Sequence, residues 1–208
     1  MTAATGADAG AGSGAPARTG VLAGVRDAGR IGAPGRLEIP AGVEILARAE
    51  WPGVGEPPPL ARFVVSSFSP LVAEAARLCL SDHFGQPPAP AETGDRTAVV
   101  LVSAAGDIVS GREVADLVDS GGNVSPLLFF QSVPNAVLGH VATRWGLTGP
   151  VVCVSPAGDP TADALDLVDL MFAAGDADLA LVVLAEQATV PGAPDRAVAL
   201  LVQPGGHP

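Results

Sequence analysis

An α/β layered domain is predicted for this chain, and three observations predict it. Four apolar runs of strand length recur: Thr97–Ser103 (TAVVLVS), Val151–Ser155 (VVCVS), Leu179–Leu184 (LALVVL) and Arg196–Val202 (RAVALLV). Continuous rather than alternating apolar character is what a strand buried on both faces requires. Between them lie segments with helical spacing and helix start and stop signals, an alternation that indicates layered α/β architecture.

Taken in order, residues 1–36 hold 9 Gly and 10 Ala and show no apolar periodicity. Such a segment buries too little surface to offset its ordering entropy, so a disordered Gly/Ala-rich tail is expected, followed by one domain over 37–208. Its GAGSGA stretch imitates a phosphate loop, but no strand pattern precedes it and no helix pattern follows. Val43–Arg48 (VEILAR) is a short strand candidate, and Glu56–Pro59 (EPPP) is a breaker. Ser69–His83 reads as a helix with Ser69 as N-cap, Pro70 at the first position, and Leu71, Ala75, Leu78 and Cys79 along one face. Gly85 and the Pro-rich run at 87–90 close it. Gly111–Ser120 is a shorter helix. Pro126–Trp145 is mostly apolar and predicts a long buried helix, or two pieces broken near Pro134. Pro160–Ala174 is a helix with Pro at its start. Its Ala164, Leu165, Val168, Met171 and Phe172 fall on one side, and Asp163, Asp166 and Asp169, preceded by Asp159, on the other.

Composition removes several function classes. The 22 acidic residues against 11 basic ones give a net charge of −11, and every basic residue is Arg. Scattered Arg without a basic cluster lacks the electrostatic footprint of nucleic-acid binding. Without Lys there is no Schiff-base or P-loop lysine. Cys79 and Cys153 sit inside apolar runs, as expected of core thiols in a reducing compartment. His83, His140 and His207 without a CxxC pair argue against structural zinc. No apolar run is long enough to span a bilayer, and the N-terminus lacks a basic segment followed by an apolar one. A soluble cytoplasmic protein is therefore the expectation.

The most informative stretch runs from Asn123 to Gln187. PNAVLGHVATRWGLTGP resembles the N-x-x-x-G-H-(I/V)-(A/S)-x-x-x-G-(L/F)-x-G-P segment of the β-ketoacyl synthases, in the thiolase superfamily. VVCVSPAG resembles their strand and nucleophile elbow, x-x-x-(V/I)-S-T-A-C, and FAAGDADLALVVLAE their G-(D/E)-A-D segment. The resemblance covers residues 97–203, more weakly back to Val43. It implies half of a thiolase-like fold, a mostly parallel sheet of about five strands flanked by helices, and a complete half closing after RAVALLVQP.

The departures from that pattern bear on function. The elbow's Cys position holds Gly158, which cannot form a thioester, and Asp159 follows it. Cys153 lies five residues earlier, inside the strand, and is expected to be a buried, poorly ionised core thiol. The family's catalytic His pair and Lys belong to a second half without a counterpart here. His140 matches the non-catalytic G-H of the buried helix and reads as a satisfied core histidine; His207 lies in a Gly/Pro tail. No catalytic residue, metal or cofactor is thus expected. The acidic side of 160–174 is expected to face water, or a basic partner surface, where the second half would otherwise lie, since unpaired carboxylates are not buried.

The resemblance implies a non-catalytic partner subunit of a β-ketoacyl synthase in polyketide or fatty-acid biosynthesis, similar to a chain-length factor. A full-length synthase subunit would be its partner, with acyl carrier protein reached only indirectly, because both are acidic. Val151, Val152, Cys153 and Val154 would form the dimer strand. Phe129, Phe130, Gln131, Val133 and Asn135 would lie near a shared acyl channel whose length their bulk limits. Two other readings stand beside it: an acyl-thioester enzyme of altered chemistry, retaining only oxyanion donors, and a homodimeric binding or scaffold protein.

Overall fold

The computed structural model describes residues 42–51, 55–190 and 192–206. The Gly/Ala-rich segment 1–36 and His207 lie outside them. The described chain contains five strands, β1 (Val43–Trp51), β2 (Thr97–Val102), β3 (Val151–Val154), β4 (Leu179–Glu186) and β5 (Arg196–Pro204). Six helices accompany them: α1 (Phe68–Phe84), α2 (Ala91–Gly94), α3 (Ile108–Asp119), α4 (Pro126–Gln131), α5 (Ala136–Trp145) and α6 (Pro160–Ala174).

The strands form one sheet in the order β1-β5-β4-β2-β3. β2 pairs in parallel with both β3 and β4, while β5 pairs antiparallel with β4 and β1. The five-stranded α/β architecture is the expected one, and the sheet is mixed rather than mostly parallel. The short β4–β5 connection explains the difference, since adjacent strands joined without a crossover helix must run antiparallel.

One core layer fills each sheet face. Against one face, α1 and α5 pack Leu71, Val72, Ala75, Leu80, Leu138 and Trp145 onto the odd-numbered residues of β2, β4 and β5. Against the other, α6 packs Ala164, Leu165, Val168 and Met171 onto the even-numbered ones. Burial of the strands on both faces is why β2, β4 and β5 read as continuous apolar runs.

Three local expectations change. α1 begins earlier: Ser67, not Ser69, is its N-cap residue, and Pro70 stands third in the helix. That position is tolerated because the first-turn N–H groups have no intrahelical acceptor in any case. Ser69 is buried instead, its Oγ without a hydrogen-bond partner among the described residues. α3 starts three residues before the predicted Gly111, because Asp107 caps it by accepting from the Ser110 N–H at 2.9 Å. The apolar stretch 126–145 is two helices broken at Pro134, and α4 is largely exposed rather than buried.

Gly149 marks the closest backbone approach before β3. A Cβ there would collide with the Thr97 carbonyl group, backbone that cannot swing aside. Gly149→Ala is accordingly expected to lower unfolding stability by about 1–3 kcal/mol, the range for overpacked sites. A leftward shift of the urea midpoint at unchanged slope would show it; an unmoved midpoint would not fit this packing.

Candidate functional site

In parallel α/β sheets, chemistry gathers at the carboxyl ends of the strands. Here those ends belong to β2, β3 and β4, and the loops after them carry a cluster of polar contacts. After β3, the Ser155 hydroxyl donates to the Ser103 carbonyl at 3.3 Å, and the Ser103 N–H donates to the Val154 carbonyl at 3.1 Å. These bonds lock the β3 elbow to the end of β2.

The elbow itself, Ala157–Pro160, is filled by the chain's own carboxylates. Asp163 Oδ2 accepts from the backbone N–H of Ala157 at 2.6 Å and of Gly158 at 2.9 Å. Asp159 Oδ1 accepts from Thr161 and Ala162 at 3.1 and 2.9 Å and so caps α6. Pro160, at the first helical position, has no N–H to offer. The donors that would otherwise hold an anion at this helix end are therefore occupied. Sequence reasoning placed Asp163 on a solvated face and missed this; the signal was a carboxylate five residues after Gly158, one helical turn into α6.

A Cβ at Gly158 would stand 3.6 Å from Asp163 Oδ1, an ordinary contact, so a Cys side chain fits there sterically. Its thiolate would face a carboxylate, which opposes ionisation. Alkylation of Gly158→Cys by iodoacetamide is expected to be slow at pH 7.5, and at least about tenfold faster when Asp163→Asn is added. Equal rates in the single and double variants would remove the role assigned to Asp163.

Next to the elbow, Glu186 at the end of β4 accepts from the Ala104 backbone N–H. Burial raises its carboxyl above the usual range, against the opposing pull of the Ala104, Ala105 and Ser103 hydrogen bonds. Gln187 is buried and ties three segments together. Its Oε1 accepts from Ile108 and Val109, and its Nε2 donates to Ser66 and Ser67. The Ser67 hydroxyl donates to Asp195 at 2.6 Å. This network is structural, closing the ends of α1 and α3 over the sheet, and nothing in the local sequence announced it.

β3 is the sheet's edge strand, not a buried one, and the prediction for Cys153 is corrected with it: the residue is exposed. The surrounding sheet still raises its thiol by desolvation, so it remains protonated at neutral pH. Cys79, in contrast, is a core thiol. It donates weakly to the Ala47 carbonyl at 3.5 Å and is pushed up to about 12 by burial. The phase of the β3 ladder follows from two bonds, Val99 N–H to the Pro150 carbonyl and Ser103 N–H to the Val154 carbonyl. Residues 150, 152 and 154 face β2 with their backbone groups. The N–H and C=O of Val151 and Cys153 therefore point to the open edge.

α4 presents Leu127, Phe129 and Phe130 outward, Phe129 at 61% and Phe130 at 49% exposure, with Val133 just beyond. α3, which packs on α4, adds exposed Val109 and Val118. This much apolar surface is more than scattered exposure explains. Phe130 also leans on Phe63, ring centres 6.2 Å apart. Gln131 is different: it is buried, and its Oε1 accepts from the Val64 N–H at 3.2 Å, anchoring the loop before α1. Asn135 is exposed at the N-cap of α5 without a side-chain capping bond. His140 is half-buried on α5, edge-on to Phe63, with no hydrogen bond among the described residues, so it is not the satisfied core histidine expected. On α6, Asp159, Asp166 and Asp169 are exposed and Asp163 partly so, as the periodicity predicted.

With this geometry in place, the known folds can be compared. The ishigamide ketosynthase/chain length factor superposes with a TM-score of 0.59 at 20% identity, over 73% of this chain and 48% of that one. The chain has the ketosynthase fold. A β-ketoacyl synthase from Burkholderia phymatum gives 0.59 at 19% identity, over 74% and 46%. A ketosynthase in complex with its chain length factor from Xenorhabdus doucetiae gives 0.54 at 18%, over 78% and 79%. The chain thus spans about half the length of the first of these structures. No protein-family model matches the sequence, and no curated protein does. Among the described residues no helix is long and apolar enough to cross a membrane.

Proposed function

We propose that this chain acts as a non-catalytic partner subunit of a β-ketoacyl synthase, in the manner of a chain length factor. The observation that carries this reading is the elbow. The nucleophile position is Gly158, and the backbone donors around it are bonded to Asp159 and Asp163. A site that neither attacks an acyl group nor offers free donors to an oxyanion supports no acyl transfer at this point. The same observation disfavours the altered-chemistry enzyme.

Two surface features support a partner. The open β3 edge offers the backbone groups of Val151 and Cys153 to an added strand. The exposed Phe129 and Phe130 supply aromatic anchors of the kind that dominate interfaces, and would border an acyl channel shared with the synthase. Their action on chain length is steric, by occupying volume rather than by chemistry. Docking of an acidic carrier protein would fall to the synthase, since this chain carries a net charge of −11.

Co-expression with a full-length β-ketoacyl synthase tests the partnership. A stable complex surviving size exclusion is expected. A chain that instead elutes alone as a symmetric dimer, its β3 edges paired with each other, would favour the scaffold reading.

A further inference from the structure

We propose that the groove between α1, α5 and the loop before α1 binds a small amphipathic monoanion, a medium-chain carboxylate in chemical class. The groove has a volume of about 320 Å³, at the lower end for small-ligand sites. Its walls are apolar: Leu60 and Pro59 from the loop, Ala73 from α1, and Val141 and the buried Trp145 from α5.

The charges lining it decide what it takes. Glu74 is neutralised by Arg77, whose Nε and Nη2 reach its two oxygens at 2.7 and 2.6 Å. His140 is held below its usual pKa, first by burial and then by Arg144, so it is neutral at pH 7. Arg144 is left as the uncompensated charge at the rim, with no ion pair among the described residues. The groove is thus locally positive on a chain of net charge −11, which selects an anion for the polar end of a ligand whose tail lies on Pro59, Leu60 and Ala73.

The wall is also shaped at a conformational cost. The turn Leu60–Phe63 is closed by the Phe63 N–H to the Leu60 carbonyl at 3.0 Å, and Arg62 within it has φ +74°, a region where Gly or Asn is the usual occupant. Non-Gly residues persist there where the surroundings over-determine them, commonly at ligand clamps. Phe63 beneath the turn is buried and sits edge-on to His140, fixing the loop against α5. The site is independent of the partner-subunit reading, because it uses neither the elbow nor the β3 edge.

The test is titration of the isolated chain with sodium decanoate and with decanol, followed by calorimetry. Saturable decanoate binding is expected, with decanol about tenfold weaker. Arg144→Ala should lower decanoate affinity to the decanol level and leave decanol unchanged. Ala73→Trp, which fills the groove from a half-buried helix position, should abolish binding of both, its fold checked by circular dichroism. Absence of saturation by wild type at millimolar decanoate overturns the proposal. So does binding that survives Ala73→Trp in a folded variant. Equal affinity for the acid and the alcohol overturns the assignment of Arg144.

Discussion

Cys153→Pro is expected to abolish association with the synthase partner, or weaken it at least about tenfold, while the chain itself stays folded. The proline ring removes one N–H donor, and the ladder phase places that donor on the open edge rather than against β2. The inward bonds of Pro150, Val152 and Val154 are untouched. A tenfold loss corresponds to about 1.4 kcal/mol, which one lost interstrand bond plus the ring's bulk in the approaching strand supplies. Cys153→Ala is the control: it deletes the thiol, keeps the N–H, and should bind as wild type. Equal affinity of the Pro variant, by calorimetry on the purified subunits, would mean that the partner docks elsewhere.

Phe129→Ala is expected to shift the product of the complex toward longer acyl chains with little change in the subunit's own stability. Phe129 is 61% exposed, so truncation leaves no internal cavity and should cost the fold no more than about 0.5 kcal/mol. In a shared channel the same truncation opens the volume of a phenyl ring to the growing chain. Phe130→Ala is the less clean variant, because Phe130 also packs on Phe63 and its loss disturbs the loop before α1. Mass spectrometry of products from complexes containing each variant distinguishes the outcomes. An unchanged product length with Phe129→Ala would remove this residue from the channel.

Where local chemistry alone decides, sequence and structure agree. α6 occupies exactly Pro160–Ala174, because an Asp cap, a Pro at the first position and Gly175 in the left-handed region mark both ends. β2, β4 and β5 lie within a few residues of their predicted bounds for the same kind of reason: continuous apolar runs bounded by polar or Gly/Pro signals. Where topology decides, local chemistry is silent. Val151–Val154 reads as apolar as Thr97–Val102, yet one is an edge strand and the other central, a difference set by which strands happen to flank each. Exposure of Cys153 and of α4 follows from that placement and not from composition. The start of α1 shows a subtler limit: Ser69 beside Pro70 is the local signal, but the helix begins at Phe68, which is fully buried. At the elbow, the resemblance puts Gly158 where a nucleophile would be expected. The occupation of its donors by Asp163 was not legible in the sequence, because a carboxylate one turn into a helix serves a solvated face equally well until the loop's path is known.

Under the proposed function this chain shapes a synthase's product without performing chemistry. The product-length distribution of the partner synthase tests it most directly, recorded with and without this chain, and with the synthase's own nucleophilic Cys intact or replaced by Ala. Adding this chain is expected to change the product distribution of the intact synthase, and no product is expected once the synthase Cys is gone. The same distribution with and without the chain, or product from the Cys-replaced complex, would contradict it.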